Sequence, residues 1–470
     1  MLRPGQVVAL CVIALLTVGV VMVNSAGMTV LAEGVTPKAI LLSRSTIYMA
    51  LAVAAMFAAS RLPVRRLAGY FGEADQALVR PNAPILGGLT FLISPMVLFI
   101  VLLALVYAPV IGKEVNGAHR WIRLPIPGLG DALSVQPSEI VKWAMTGVIA
   151  WYCCRRSPVI HQFWRGLVPA LAFAGAVSVF IVLADLGTGA LVLAASCIVL
   201  LAAGARFWQF MMFVPLGLAG LGLAIFKSPY RVQRVLAFLD PYADPEKSGY
   251  HMIQSMSAVA GGEVFGRGLG HGQQKFGYLP EDETDFLFAI VCEELGVAGA
   301  AAVIGVLLLL IWTGLGIVKR ERDSFLRLMG IGIIATIGLQ AIINLAVVTG
   351  MAPTKGIALP LVSRGGSGWI LTAFSLGLLW AIDRTQSRSL LAGDDEPAIE
   401  TPSAPFAGGV MTVDRSNRAF VLAGGGTGGH IFPNLAIAEQ LGGALFEKSL
   451  CGEVAHNFSP ERFARDGEGR

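Results

Sequence analysis

PYRVQRVLAFLDPYADP (229–245), GYHMIQSMSAVAGGEVFGRGLGHG (249–272) and KFGYLPEDETDFLFAIVCEELG (275–296) lie in the one long polar segment between the chain's apolar runs. Arg231, Arg234, Arg267 and Lys275 come first. Glu281, Asp282, Glu283 and Asp285 follow, and an apolar run then begins at Phe286 with Glu293 and Glu294 inside it. Asp285 therefore stands at a membrane–water boundary. A helical run would put Glu293 about 12 Å deeper, at ~1.5 Å rise per residue. Carboxylates inside an apolar span are functional candidates by default. Cations beside carboxylates suit a phosphate-bearing substrate at a membrane surface.

The rest of the chain agrees with a membrane reading. Of 470 residues, 55% are hydrophobic and 14% charged, against about 25% charged in ordinary soluble domains. Mean hydropathy is +0.69. A net charge of +4 is too small to argue for nucleic acid. Cys11, Cys153, Cys154, Cys197, Cys292 and Cys451 lack metal-ligand spacing and read as free thiols or apolar fillers. MLRPGQ leads into an apolar run with no small-residue cleavage site after it, so a retained first helix is expected.

Ten apolar runs near 7–26, 45–62, 84–111, 138–155, 166–184, 188–204, 207–226, 286–318, 326–350 and 368–383 approach the ~20 residues needed to cross ~30 Å of hydrocarbon. Backbone facing lipid must satisfy its own hydrogen bonds, so these runs read as helices. The fold class expected is an all-α polytopic membrane protein with about ten spans and one long extracytoplasmic loop. Lys and Arg concentrate in the even-numbered loops: Arg61, Arg65, Arg66 and Arg80, then Arg155, Arg156 and Arg165, then Arg206, then Lys319, Arg320, Arg322 and Arg327. The positive-inside rule makes those loops and both termini cytoplasmic. The acidic cluster then faces the wall side.

Several motifs carry polar chemistry on that side. Arg120 and Trp121 lie in the third loop; Trp121 suits either an interface anchor or a sugar contact. Pro137 and Ser138 look like a helix start, and Glu139 and Lys142 are spaced to pair on one face. A self-satisfied pair and a substrate role are both open there. Asp185 in LADLGTGA reads as a turn and cap. In TGMAPTKGIALPLVSRGGSGWI (349–370), Lys355, Ser363, Arg364 and Ser367 offer donors and the glycines allow close approach. A packed re-entrant turn and a cradle for an anionic headgroup are both open. A helix cap and a catalytic acid are both open for Asp285.

NGAHRWI, QPSEIVK, ADLGTG, RVLAFLDP, LPEDETDF with EELG, and PTKGIALPLVSRGGSG together resemble the SEDS family (shape, elongation, division and sporulation) over roughly residues 5–385. PTKG is closer to the division branch, FtsW, than to the elongation branch, RodA. Arg364, where many relatives carry tyrosine, and the absence of Gln-Pro before ADLG are departures. The resemblance implies a glycosyltransferase that polymerises lipid II into septal glycan strands and releases undecaprenyl pyrophosphate. It implies a class B penicillin-binding transpeptidase and other divisome membrane proteins as partners, and the bacterial inner membrane as the location. It puts Asp285 on the family's essential acid. Lys275, Arg231, Arg234 or a divalent cation (Mg²⁺ or Mn²⁺) are candidates to stabilise the leaving pyrophosphate. The competing classes are a lipid II flippase, which would carry its charges near the midplane, and a division scaffold without chemistry.

Beyond the spans, residues 386–417 are rich in Pro, Ala, Gly and acid and read as a flexible linker. Residues 418–470 open with LAGGGTGGHIFPNLAIAEQL, which resembles the first strand, glycine loop and helix of MurG. The match stops within the segment. A fusion remnant, a frameshift product or a truncation is expected, with no MurG activity.

Overall fold

The computed structural model describes residues 2–28, 40–41, 43–71, 87–108, 112–115, 118–123, 134–280, 283–354 and 356–392. The chain divides into two compact units, Met1–Pro397 and Ala398–Arg470. All described residues belong to the first, so the linker beyond Ala392 and the MurG-like tail lie outside them.

Every apolar run is helical over most of its length. The elements are α1 (Pro4–Ala26), α2 (Arg44–Ser60), α3 (Val64–Phe71), α4 (Gly87–Ala104), α5 (Pro137–Arg155), α6 (Val168–Ala184), α7 (Leu186–Ala202), α8 (Phe207–Met211), α9 (Val214–Phe226), α10 (Pro229–Leu239), α11 (Tyr250–Gly261), α12 (Leu287–Arg320), α13 (Ser324–Val348) and α14 (Ser367–Ala392). By length and composition, four helical stretches among the described residues can each cross a membrane alone, or five if the bent pair α2–α3 is one span. The last helix runs past residue 385, so the start of the expected linker is helical.

Local chemistry explains the helix ends. Prolines stand in the first turn of α1, α5, α6, α9 and α10, where their fixed φ suits a helix start and no N–H is needed. The Asp185 carboxylate accepts from Gly187 N–H at 2.9 Å and from the Thr188 hydroxyl at 2.8 Å. It is thus the cap that its spacing suggests. Asp323 caps α13 through Leu326 N–H at 2.8 Å. Ser138 is not a cap. Gln136 holds the cap position of α5, and Ser138 Oγ accepts from its Nε2 at 3.0 Å.

The bundle is tied most extensively through α2 on α14, α1 on α12, α6 on α7 and α13 on α7. The third loop carries a three-stranded antiparallel sheet: β1 (Gly112–Val115), β2 (Ala118–Arg123) and β3 (Ser134–Val135), with β2 central. A bulge between Lys113 and Glu114 shifts the first pairing, and Ile122 opposes Val135 in the second.

The eighth run departs most from a plain span. Helix α12 is broken at Gly296, whose φ is 66° and ψ −167°. The break orphans backbone groups, and the segment between α11 and α12 satisfies them. Val297 and Ala298 N–H donate to the carbonyls of Glu263 and Val264 at 3.0 and 3.1 Å. Arg267 and Gly268 N–H donate to the carbonyls of Glu293 and Glu294, each at 3.0 Å. Residues 287–294 are all buried, and exposed apolar side chains begin at Val297. From there to Arg320 the helix covers roughly 36 Å at ~1.5 Å per residue, enough to cross ~30 Å. Glu293 and Glu294 therefore stand in a protein-enclosed stretch before the span proper, not within a lipid-facing helix. A Cβ on Gly296 would run into Gly266 N and Val264 O. Gly296→Ala is expected to lower stability by at least ~1–3 kcal/mol, read as a fall in melting temperature in detergent.

Candidate active site

A turn (residues 283–286) leads into α12, whose cap position is Phe286. Asp285 thus precedes the cap and is not part of the helix. Its carboxylate lies against Gly356, where a Cβ would come within 2.9 Å of Oδ2. The Asp285 main-chain carbonyl accepts from Asn344 Nδ2 at 2.8 Å, and the same nitrogen donates to the Ile357 carbonyl at 2.7 Å.

Asp285 lines an open cavity of about 910 Å³. The cavity walls come from the ends of α5, α6 and α7, from α10, and from the loop between α13 and α14. Arg231 and Arg234 reach it from α10, and Arg120 and Trp121 from β2. Arg231 donates to the carbonyls of Val182 and Ala224 at 2.9 and 3.1 Å. Arg234 donates to the Thr354 carbonyl at 3.0 Å, stacks on Tyr230 and bonds its hydroxyl. Arg120 Nε donates to the Ala184 carbonyl at 3.0 Å, at the negative end of α6. These bonds aim the guanidinium forks and leave each with further donors for an anion.

Glu139, Lys142 and Ser363 also line the cavity. Lys142 Nζ lies 2.7 Å from Glu139 and donates to Gln340 Oε1 at 3.0 Å. Gln340 Nε2 donates on to the Ala358 carbonyl at 2.8 Å. The pair is thus self-satisfied, as one reading of the sequence has it, and both residues line the cavity. Ser363 Oγ accepts from Leu359 N–H at 3.0 Å, shaping the re-entrant turn. At the mouth, Arg364 pairs with Glu283 side chain to side chain, and its N–H donates to the Glu283 carbonyl at 3.0 Å.

Two expected site residues among the described ones, Ser367 and Lys275, do not line the cavity. Ser367 is buried and its Oγ accepts from Gln136 N–H at 3.3 Å. Lys355, with Glu281 and Asp282, lies outside the described residues. The expectation for Lys275 does not fit its surroundings. Its ammonium is buried, 2.7 Å from Glu294 and 3.1 Å from Ser25 Oγ. Glu294 also accepts from Ser25 Oγ at 2.7 Å and from the N–H groups of Gly270 and Gly272. Glu293 accepts from Gln273 and Gln274 N–H at 2.8 and 3.2 Å. Both acids therefore fold the segment 267–275 around α12. A cation this committed offers nothing to a ligand.

Sequence reasoning missed Gln340 and Asn344. The signal was present: two amides four residues apart, hence on one helix face, in an apolar run. Among the described residues no three His, Cys, Asp or Glu side chains gather to hold a metal ion.

A family model described as cell cycle protein, FtsW/RodA/SpoVE, matches residues 90–388. The chain belongs to the FtsW/RodA/SpoVE family. It is similar to stage V sporulation protein E of Bacillus subtilis (strain 168), with 39% identity over 292 residues, 62% of this chain and 78% of that protein. It is similar to the probable peptidoglycan glycosyltransferase FtsW of Geobacter metallireducens, with 35% identity over 378 residues, 80% of this chain and 94% of that protein. A solved structure described as structural coordination of polymerization and crosslinking by a peptidoglycan synthase complex aligns with TM-score 0.59 and 27% identity, over 81% of this chain and 97% of the other. With these relatives the chain shares a helical polytopic membrane fold, and the family match covers every described residue that lines the cavity.

Proposed function

We propose that this FtsW/RodA/SpoVE-family chain is a peptidoglycan glycosyltransferase that polymerises lipid II. One observation carries it: Asp285 shares an open cavity with Arg231, Arg234, Arg120 and Lys142, in a chain related to proteins named for that activity. Asp285 acts as general base on the acceptor sugar's 4-hydroxyl. The freed oxygen attacks the anomeric carbon of the donor, forming the new glycosidic bond. The bond from that carbon to the pyrophosphate oxygen breaks, and its electron pair leaves with undecaprenyl pyrophosphate. Arg231 and Arg234 offset the charge that grows on the leaving group. Trp121 and Arg120 border the sugar, Glu139, Lys142 and Ser363 line the same cavity, and Ser367 holds Gln136 of that lining. Lys355 remains a candidate for the pyrophosphate from the same loop.

The described residues do not form a three-ligand metal site, so no step is assigned to a protein-held cation. Mg²⁺ or Mn²⁺ is proposed only as a companion of the pyrophosphate. The finer reading is division-type: a multi-pass protein of the inner membrane at the septum, both termini cytoplasmic, the cavity on the wall side. A class B penicillin-binding transpeptidase is the proposed partner, supported by the synthase complex to which the fold is similar. The proposed domains are the transmembrane unit through the end of α14 at Ala392, the linker from there to residue 417 and the MurG-like fragment 418–470. We assign the fragment no part in polymerisation, so a chain ending at Ala392 is expected to polymerise at the full-length rate.

The test gives purified protein and its cognate transpeptidase labelled lipid II, with and without EDTA, and separates products by size. A glycan ladder supports the enzyme. No ladder with added Mg²⁺ or Mn²⁺ overturns it and favours lipid II transport or a scaffold.

A further inference from the structure

We propose that Asn344 is a positioning residue for Asp285, holding the acid's main chain against the cavity-lining loop between α13 and α14. The proposal deepens the reading of Asp285 as general base and rests on it. Asp285 sits in a turn, outside α12, so no helical hydrogen bond sets its place. A side chain bonds its main-chain carbonyl. Asn344 is 1% exposed on α13, and its Nδ2 is shared between the carbonyls of Asp285 and Ile357 at 2.8 and 2.7 Å. An amide nitrogen carries both hydrogens needed for two divergent carbonyls. Its Oδ1 accepts from nothing among the described residues, so the donors make its link to the fold.

The geometry ties that link to the chemistry. Ile357 follows Gly356, the residue that the Asp285 carboxylate lies against. The two backbone strands clamped by Asn344 are therefore the ones that place the carboxylate on the wall. One helical turn earlier, Gln340 holds the next carbonyl of the same loop, Ala358, at 2.8 Å. The loop thus keeps one of its two amide supports when Asn344 is changed, whereas Asn344 is the amide that also holds the Asp285 carbonyl. Loss of Asn344 should let the base drift while the arginines that border the substrate stay bound to their own carbonyls.

The test compares wild type, Asn344→Leu and Asn344→Ser in lipid II polymerisation with the transpeptidase present. Leucine matches the size and offers no donor; serine offers one. A drift of about 1 Å in a reacting group costs roughly 100-fold in rate. The expected result is a kcat lower by about 10–100-fold for Asn344→Leu, a smaller loss for Asn344→Ser, and KM within about threefold of wild type in both. A purely structural role would lower the amount of folded protein and leave the kcat of the folded fraction alone. Wild-type kcat in Asn344→Leu overturns the proposal, and so does a change confined to KM. If Asn344→Leu fails to fold, wild-type kcat in Asn344→Ser overturns it. Absence of polymer from wild type defeats the polymerase reading itself. Polymer from wild type with no kcat change in the variants defeats only the role of Asn344.

Discussion

Glu294→Ala is expected to lower stability by about 3–5 kcal/mol, the range for removing one partner of a buried ion pair. The carboxylate is fully buried and lies 2.7 Å from an equally buried Lys275 ammonium. Removing it strands that cation in a site of low polarity. It also deprives Ser25 Oγ and the N–H groups of Gly270 and Gly272 of their acceptor, and unpaired buried donors add to the loss. Set against total stabilities of about 5–15 kcal/mol, one substitution removes a large share. Lys275→Met is expected to act in the same direction. The pair Glu294→Gln with Lys275→Met keeps an acceptor and removes both charges, so it should lose less than Glu294→Ala. Melting curves of detergent-purified protein check this. A Glu294→Ala curve that overlays wild type would remove the clamp from the account.

Asp285→Asn is expected to lower kcat by about 10²–10⁴-fold, the usual contribution of a positioned general base. The substitution keeps shape and deletes the proton acceptor. Its carboxylate stands in a turn beside Gly356 and asparagine has the same size and shape, so the fold should persist. Arg231 and Arg234 are held by carbonyls of other segments, so KM should change little. A fall in kcat and kcat/KM together, at constant KM, marks an interaction made in the transition state.

Local chemistry was legible in the sequence, and long-range pairing was not. Ten helical runs could be read because lipid requires long unbroken apolar stretches. Asp285, Arg231, Arg234, Arg120, Trp121, Glu139, Lys142 and Ser363 could be read as polar groups stranded near one membrane face, and all line the cavity. Lys275 has the same composition signal, yet its partners are Glu294 and Ser25, the latter 250 positions away. Spacing carries no information about such a pair. The break in α12 was hidden for the same reason. Gly296 looks like one more glycine in an apolar run until the segment around Val264 and Gly266 folds across it. The sheet in the third loop was hidden because β1 and β3 are four and two residues long and β2, AHRWIR, does not alternate apolar with polar residues. Asn344 was passed over because asparagine in a span reads as a packing polar group unless its two carbonyl partners are known.

The most direct measurement follows glycan formation from labelled lipid II by wild type and Asp285→Asn, side by side, with equal amounts of folded protein and transpeptidase. The cavity geometry predicts a polymer ladder from wild type and essentially none from the variant over the same time. Equal ladders from both would contradict Asp285 as the base and move the search to Glu139 and Asp185, the other carboxylates among the described residues that line the cavity.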